Sequence, residues 1–130
     1  MYKSFRGMPV WVEAMALAEE IFRISEKFPR KEDYGLTSQL RRAVVSISGN
    51  IAEAFGRCHA KDKVNFYYFS RGSITETQSH LEYAQRVGYL TAEFVISTNK
   101  RLDLLIHEIN KIIVTLRNQS RSQSQPQSQS

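Results

Sequence analysis

Apolar residues repeat every three or four positions through the first part of the chain, which is the spacing of one helix face. Pro9 suits the first turn of a helix, and Pro29 ends the repeat. The pattern therefore predicts a helix over about residues 9–28. Its predicted core positions are Val10, Ala14, Leu17, Ile21, Ile24 and Phe28.

A second helix is predicted over about residues 37–56, after a charged loop. Thr37 stands where an N-terminal cap is expected, and Gly56 stands where the apolar repeat stops. The spacing of the apolar positions again places them on one face. They are Leu40, Val44, Ile47, Ile51 and Phe55.

Two further helices complete the predicted fold. The third spans about residues 61–87, and Gly88 is expected to end it. Thr91 is expected to cap the fourth, over about residues 91–117. Short connections between the four helices predict an all-α protein, an antiparallel up-down-up-down four-helix bundle. Residues 1–118 would form this single domain, and the Ser/Gln-rich residues 119–130 a disordered tail.

Four consecutive aromatic residues, from Phe66 to Phe69, occupy one turn of the third helix. Successive helical residues are about 100° apart, so one bundle cannot bury all four rings. The first helix also carries a second apolar stripe beside its core stripe. Both features predict self-association, although packing within the chain is the simpler explanation for Trp11. The predicted oligomer interface comprises Trp11, Met15, Phe22, Val45, Phe66, Tyr68 and Phe69.

The chain has a formal net charge of +5 at pH 7, and its bases concentrate in the middle. This segment can attract nucleic acid through phosphate contacts, and a mixed solvated surface is the alternative. For Arg41 and Arg71, ion pairs with Glu53 or Glu76 of another subunit are a further alternative. The candidate nucleic-acid-binding residues are Arg41, Arg42, Arg57, Lys61, Lys63 and Arg71.

Other features of the sequence bear on location. No apolar run approaches the roughly 18 residues that a membrane span needs, and the first residues lack the pattern of a secretion signal. The single cysteine, Cys58, fits a reducing compartment. Its neighbour His59 does not make it a nucleophile, because no third group orients the two. We therefore expect a cytoplasmic protein with no membrane partner.

Metal chemistry has weak support. Glu76 with His80, and Asp103 with His107, have the i, i+4 spacing that places two ligands on one helix face. Di-metal helical bundles use Glu-x-x-His instead, so surface polar pairs are the favoured interpretation. No metal, cofactor or enzymatic activity is predicted.

Several short motifs, in order along residues 8–116, resemble the 23S rRNA-intervening-sequence proteins, a family related to the accessory proteins of diversity-generating retroelements. The chain departs from the family pattern where Ser48 and Ala54 replace a common proline and glycine, and where residues 76–80 are less acidic. The matching motifs are Val10-Trp11, Phe28-Pro29, the run from Tyr34 to Ala43, Asn50-Ile51-Ala52-Glu53, Phe55-Gly56-Arg57, Arg71-Gly72-Ser73 and Gly88-Tyr89-Leu90.

The resemblance implies a helical bundle that assembles into a ring, typically a pentamer, with no established enzymatic activity. In the retroelement relatives, a basic surface binds nucleic acid and a reverse transcriptase. We therefore expect a non-enzymatic homo-oligomeric adaptor that binds RNA, DNA or a nucleic-acid enzyme. A purely structural assembly module without nucleic-acid affinity is the alternative.

Overall fold

Within residues 1–124, four α-helices form the fold, and each packs against the next along the chain. The computed structural model describes residues 1–124, with side chains described to residue 122. Short 3₁₀ turns precede the first and second helices, at Phe5–Gly7 and Arg30–Glu32. The predicted all-α class and up-down bundle are confirmed. The helices are α1 (Pro9–Ser25), α2 (Leu36–Phe55), α3 (Ala60–Arg86) and α4 (Ala92–Ser124).

The predicted core stripes meet in the interior of the bundle. On α2, four of the five predicted positions are completely buried, and Phe55 packs against their edge. Burying each such side chain is worth about 1.5–3 kcal/mol relative to leaving it in water. The largest completely buried apolar side chains are Leu17, Ile21, Leu40, Val44, Ile47, Ile51, Ile74, Leu81, Leu102 and Ile109.

The helix-ending signals between α3 and α4 are confirmed. Gly88 has a φ of 90°, the left-handed region that favours glycine, and it follows the last turn of α3. The side chain of Thr91 accepts a 3.1 Å hydrogen bond from the backbone N–H of Phe94, as an N-terminal cap does. The two helices therefore reverse direction within five residues, 87–91.

Two predictions about helix ends are wrong: the C-terminal end of α1 and the N-terminal cap of α2. α1 ends at Ser25 rather than Phe28, although Phe28 stays buried and its ring centroid lies 5.4 Å from that of Tyr89. Thr37 is not a cap, because α2 starts at Leu36 and buries Thr37 inside its first turn. The carboxylate of Glu32 supplies the acceptor instead, 3.4 Å from the Leu36 nitrogen. The charged loop folds into a turn and brings this carboxylate back to the helix.

The predicted disordered tail is helical in its first part. α4 continues to Ser124, so the expectation for residues 119–124 is wrong, and residues 125–130 lie outside the described part of the chain. Gln119, Ser120 and Arg121 line clefts against neighbouring segments, which gives these last turns tertiary contacts. Glutamine and arginine are also good helix formers, so the helix propagates through a polar sequence.

α1 and α4 pack least closely of the neighbouring helices, which leaves an apolar cleft of about 680 Å³ at the base of the bundle. We call it the basal cleft, and Met8, Val10, Phe55, Tyr67, Ile112 and Leu116 are among its walls. A smaller cleft opens between the start of α3 and the end of α4. Within residues 1–124, no helix combines the length and the apolar character needed to cross a membrane.

Candidate nucleic-acid interface

The smaller cleft has a volume of about 340 Å³, and three of its six lining residues are basic. We call it the basic groove. None of its lining side chains is a carboxylate, while an amide and a hydroxyl add hydrogen-bonding groups. It is therefore a locally cationic surface with both donors and acceptors. Its lining residues are Lys61, Val64, Asn65, Arg117, Ser120 and Arg121.

Helix register explains why these residues meet. Lys61 and Asn65 are four residues apart on α3, and Arg117 and Arg121 are four apart on α4, so each pair shares a helix face. Antiparallel packing then brings the first turn of α3 beside the last turns of α4. The i, i+4 spacing of Arg117 and Arg121 was the signal available in the sequence. It was missed because Arg117 was placed at the end of the predicted fourth helix and Arg121 in the predicted disordered tail.

An aromatic ring continues the groove along α3. The guanidinium carbon of Arg71 lies 4.9 Å from the centroid of the Tyr68 ring, and that of Arg117 lies 5.4 Å from it. Arg71 also donates a 2.8 Å hydrogen bond from Nη1 to Oδ1 of Asn110. Both arginines are thus held by cation–π attraction, and a guanidinium held this way keeps most of its five N–H donors for other ligands.

Two of the sequence-predicted bases are close to Lys61 in the sequence but do not line the groove, and both have partners inside the chain. Arg57 forms an exposed 3.1 Å ion pair with Glu53 and lies 4.6 Å from the centroid of the Phe66 ring. Lys63 donates hydrogen bonds of 3.0 and 3.2 Å to the backbone carbonyls of Ala54 and Phe55. Lys63 therefore caps the last turn of α2.

Arg41 has a structural role on the other side of the bundle. Its Nε donates a 2.8 Å hydrogen bond to the hydroxyl of Ser25, and its Nη2 donates a 3.2 Å bond to the backbone carbonyl of Phe22. Its guanidinium also lies 4.4 Å from the centroid of the Phe22 ring. Arg41 thus closes the end of α1 onto α2. Its neighbour Arg42 is exposed.

The carboxylates proposed as intersubunit partners are engaged within the chain. Glu53 pairs with Arg57, and the carboxylate of Glu76 lies 3.3 Å from Nε2 of His80. Both pairs are exposed i, i+4 contacts of the kind that contribute a few tenths of a kcal/mol. The arginines of that alternative also have partners within the chain, because Arg41 bonds to Ser25 and Arg71 bonds to Asn110.

The predicted oligomer-interface residues divide into two groups. Phe22, Val45 and Phe69 are 50%, 56% and 58% exposed, and several large apolar side chains outside the predicted interface are exposed to a similar degree. The others are partly buried: Trp11 contacts Phe5 edge to face at 5.0 Å, Phe66 and Tyr68 pack against the core, and Met15 is half-buried. In the aromatic turn only Tyr67 is buried.

The two carboxylate–histidine pairs considered as metal ligands do not converge. Asp103 accepts a 2.7 Å hydrogen bond from the side chain of Gln78, and Glu76 contacts His80 on the surface of α3. Across the described residues, no three His, Cys, Asp or Glu side chains gather closely enough to hold a metal ion. Cys58 is exposed in the α2–α3 connection.

The fold and the groove define a small four-helix protein with a cationic surface cleft. The chain belongs to the family described as 23S rRNA-intervening sequence protein, whose pattern matches residues 6–113. A crystal structure of a protein of unknown function from the S23 ribosomal protein family of Bacteroides thetaiotaomicron VPI-5482 has a similar fold. The two chains are 23% identical, with a TM-score of 0.72 and 80% of this chain and 97% of that one covered. No curated protein gives a significant match.

Proposed function

We propose that this protein is a non-enzymatic adaptor that binds nucleic acid through the basic groove and acts as a homo-oligomer. A pentamer is the proposed assembly. The proposed protein partner is a nucleic-acid enzyme of the reverse-transcriptase type. No cofactor is part of the proposal.

The observation that supports nucleic-acid binding is the composition of the groove. Lys61, Arg117 and Arg121 line one cleft without a carboxylate among its other walls, and Arg71 extends the positive charge past Tyr68. Cations arranged in this way suit the phosphate backbone, whose contacts release counterions and are independent of sequence. The half-buried Tyr68 helps to hold these cations in place, because the guanidiniums of Arg71 and Arg117 both lie against its ring.

A homo-oligomer would strengthen such a site. One groove offers only a few phosphate contacts, and contacts of this kind are weak at physiological salt. Repeating the groove once per subunit allows one polymer to occupy several sites, and the effective concentration of the second site then raises the overall affinity.

Fluorescence anisotropy with labelled single-stranded RNA and DNA tests the groove. We expect salt-sensitive binding by the unaltered protein, and at least tenfold weaker binding by Lys61→Glu/Arg117→Glu. The slope of log affinity against log salt should become shallower by about one for each phosphate that the variant no longer neutralises. Lys63 is left unchanged in this variant because it caps α2.

Arg23→Glu/Lys100→Glu is the matched control, since it makes the same charge change at two exposed positions that are neither in the groove nor among the predicted nucleic-acid-binding residues. We expect it to retain most of the affinity. Equal losses of affinity in the two double variants would mean that net charge, and not the groove, governs binding. Absence of binding at low salt by the unaltered oligomer would refute the adaptor function.

A structural assembly module is the second candidate, and the exposed apolar side chains Phe22, Val45 and Phe69 favour it. They support self-association without requiring nucleic acid. An oligomer by light scattering that binds neither RNA nor DNA would establish this candidate over the adaptor.

A further inference from the structure

The basal cleft carries a polar group that the bundle itself does not use. The Tyr67 side chain lines the cleft and is only 3% exposed. Among the described residues, its hydroxyl has no hydrogen-bond partner, and the hydroxyl oxygen is not fully enclosed. The hydroxyl is therefore reached only through the cleft. A hydroxyl that is accessible from the cleft and has no partner in the described chain is available to a ligand there.

Lys63 provides a second donor in the same cleft. Lys63 and Tyr67 are four residues apart on α3, so both lie on the face that lines the cleft. An ammonium group has three N–H donors, and only two of those on Lys63 are used by the carbonyls of Ala54 and Phe55. The third N–H remains available to a ligand in the cleft. Two donors in one cleft can serve the two oxygens of a carboxylate.

Apolar side chains form most of the other walls, and Thr115 and Gln119 are among the polar ones. Met8 and Val10 come from the start of α1, and Ile112 and Leu116 come from α4. The remaining charges in the lining offset each other, because Nζ of Lys111 lies 3.4 Å from a carboxylate oxygen of Glu108. The cleft thus combines one cationic, donor-rich position with a long apolar surface. Its volume of about 680 Å³ falls within the range of about 300–1,000 Å³ that small-molecule sites occupy.

We infer that the basal cleft binds a carboxylate with an unbranched apolar chain, such as a fatty acid. The carboxylate accepts hydrogen bonds from the Tyr67 hydroxyl and the Lys63 ammonium, and the chain lies against Ile112 and Leu116. The polar residues 125–130, Gln-Pro-Gln-Ser-Gln-Ser, do not match such walls. This site lies apart from the basic groove and does not depend on nucleic-acid binding.

Calorimetric titration with dodecanoate below its micelle concentration tests the site. We expect saturable binding of one dodecanoate per chain, and at least tenfold weaker binding of dodecanol, which lacks the charge that strengthens both hydrogen bonds. Tyr67→Phe removes one donor and keeps the ring, so the affinity for dodecanoate should fall about tenfold. Ile112→Trp should fill the cleft and abolish binding.

Tyr83→Phe is the matched control, because Tyr83 is an exposed tyrosine of the same helix outside the cleft. It should bind dodecanoate as the unaltered protein does. Circular dichroism checks that each variant is folded, and light scattering checks that its mass equals that of the unaltered protein. Failure to bind dodecanoate, or binding unchanged by both Tyr67→Phe and Ile112→Trp, overturns the inference. Neither result bears on nucleic-acid binding through the groove, which the anisotropy experiment measures separately.

Discussion

Arg101 of α4 and Glu13 of α1 form a two-point contact, in which Nη2 lies 2.7 Å from Oε1 and Nε lies 3.4 Å from Oε2. Glu20, two turns further along α1, accepts bonds of 2.7 and 2.9 Å from Nη1 of the same guanidinium. These hydrogen bonds raise the pKa of Arg101 above its ordinary value, so the guanidinium is charged at every accessible pH. One arginine thus joins α1 and α4, the pair of neighbouring helices that packs least closely.

Removing this bridge should destabilise the bundle measurably. We expect Arg101→Gln to lower the free energy of unfolding by about 1–2 kcal/mol, because the variant lacks the charge-assisted hydrogen bonds to two carboxylates at a site that is one-third exposed. Urea unfolding measures the change. Arg42→Gln makes the same substitution at an exposed position and should change stability by less than about 0.5 kcal/mol. A similar cost for both variants would contradict this role of Arg101.

Substitutions of Lys61 and Lys63, which are two residues apart, should differ in their effects on stability and on nucleic-acid binding. Lys63→Met removes the donor that caps the carbonyls of Ala54 and Phe55, and should lower the free energy of unfolding by about 1 kcal/mol. Lys61→Met should leave the stability within about 0.5 kcal/mol and weaken nucleic-acid binding instead. Chemical denaturation and anisotropy measure the two effects. If Lys61→Met were the less stable variant, the assignment of the cap would be wrong.

Val45 and Ile96 offer a comparison of two apolar surfaces, because they are 56% and 57% exposed. We expect the unaltered protein to be an oligomer, and Val45→Glu to reduce its mass towards that of one chain, since burying a carboxylate in an interface is costly. Ile96→Glu should leave the mass unchanged. Light scattering measures both variants at equal concentration. A monomeric unaltered protein would refute the predicted interface as a whole.

Tyr67 should make stability sensitive to alkaline pH. Burial raises its pKa from 10.0 to about 12, so between these values the folded chain keeps a proton that the unfolded chain has released. The stabilisation is complete below pH 10 and declines as the pH rises towards 12, by at most about 1.4 kcal/mol per pH unit. Tyr67→Phe should show a shallower decline in urea unfolding from pH 9 to 12, whereas the exposed-site variant Tyr83→Phe should follow the unaltered protein. Identical profiles of stability against pH for Tyr67→Phe and the unaltered protein would contradict the raised pKa of Tyr67.

The positions of the helices were predictable because they depend on residues that lie close together in the sequence. A three-four repeat of apolar residues fixes which face of α2 is buried before any partner is known, and the structure buries four of its five predicted positions completely. Gly88 and Thr91 likewise act on their own backbone neighbours. The ends that were misplaced depend on more distant contacts. Glu32 reaches the first turn of α2 only because the preceding loop folds back.

The roles of the basic residues were not predictable in the same way. In the sequence, Arg41 and Arg42 are adjacent and chemically identical, yet Arg41 bonds to a serine sixteen residues earlier while Arg42 is exposed. The contact of Arg71 with Asn110 spans thirty-nine residues, and the basic groove joins two helix ends that are far apart in the chain. The spacing of charged residues along the chain does not indicate which residue each of them contacts.

The sequence by itself thus determined the class of fold, the core faces and most helix ends, because helix formation and burial follow from the spacing of neighbouring residues. Only the tertiary structure decided which bases support the bundle and which line the groove, and how Tyr67 and Lys63 come to share one cleft with α1 and α4. Those outcomes depend on the register and separation of packed helices, which no short stretch of sequence encodes.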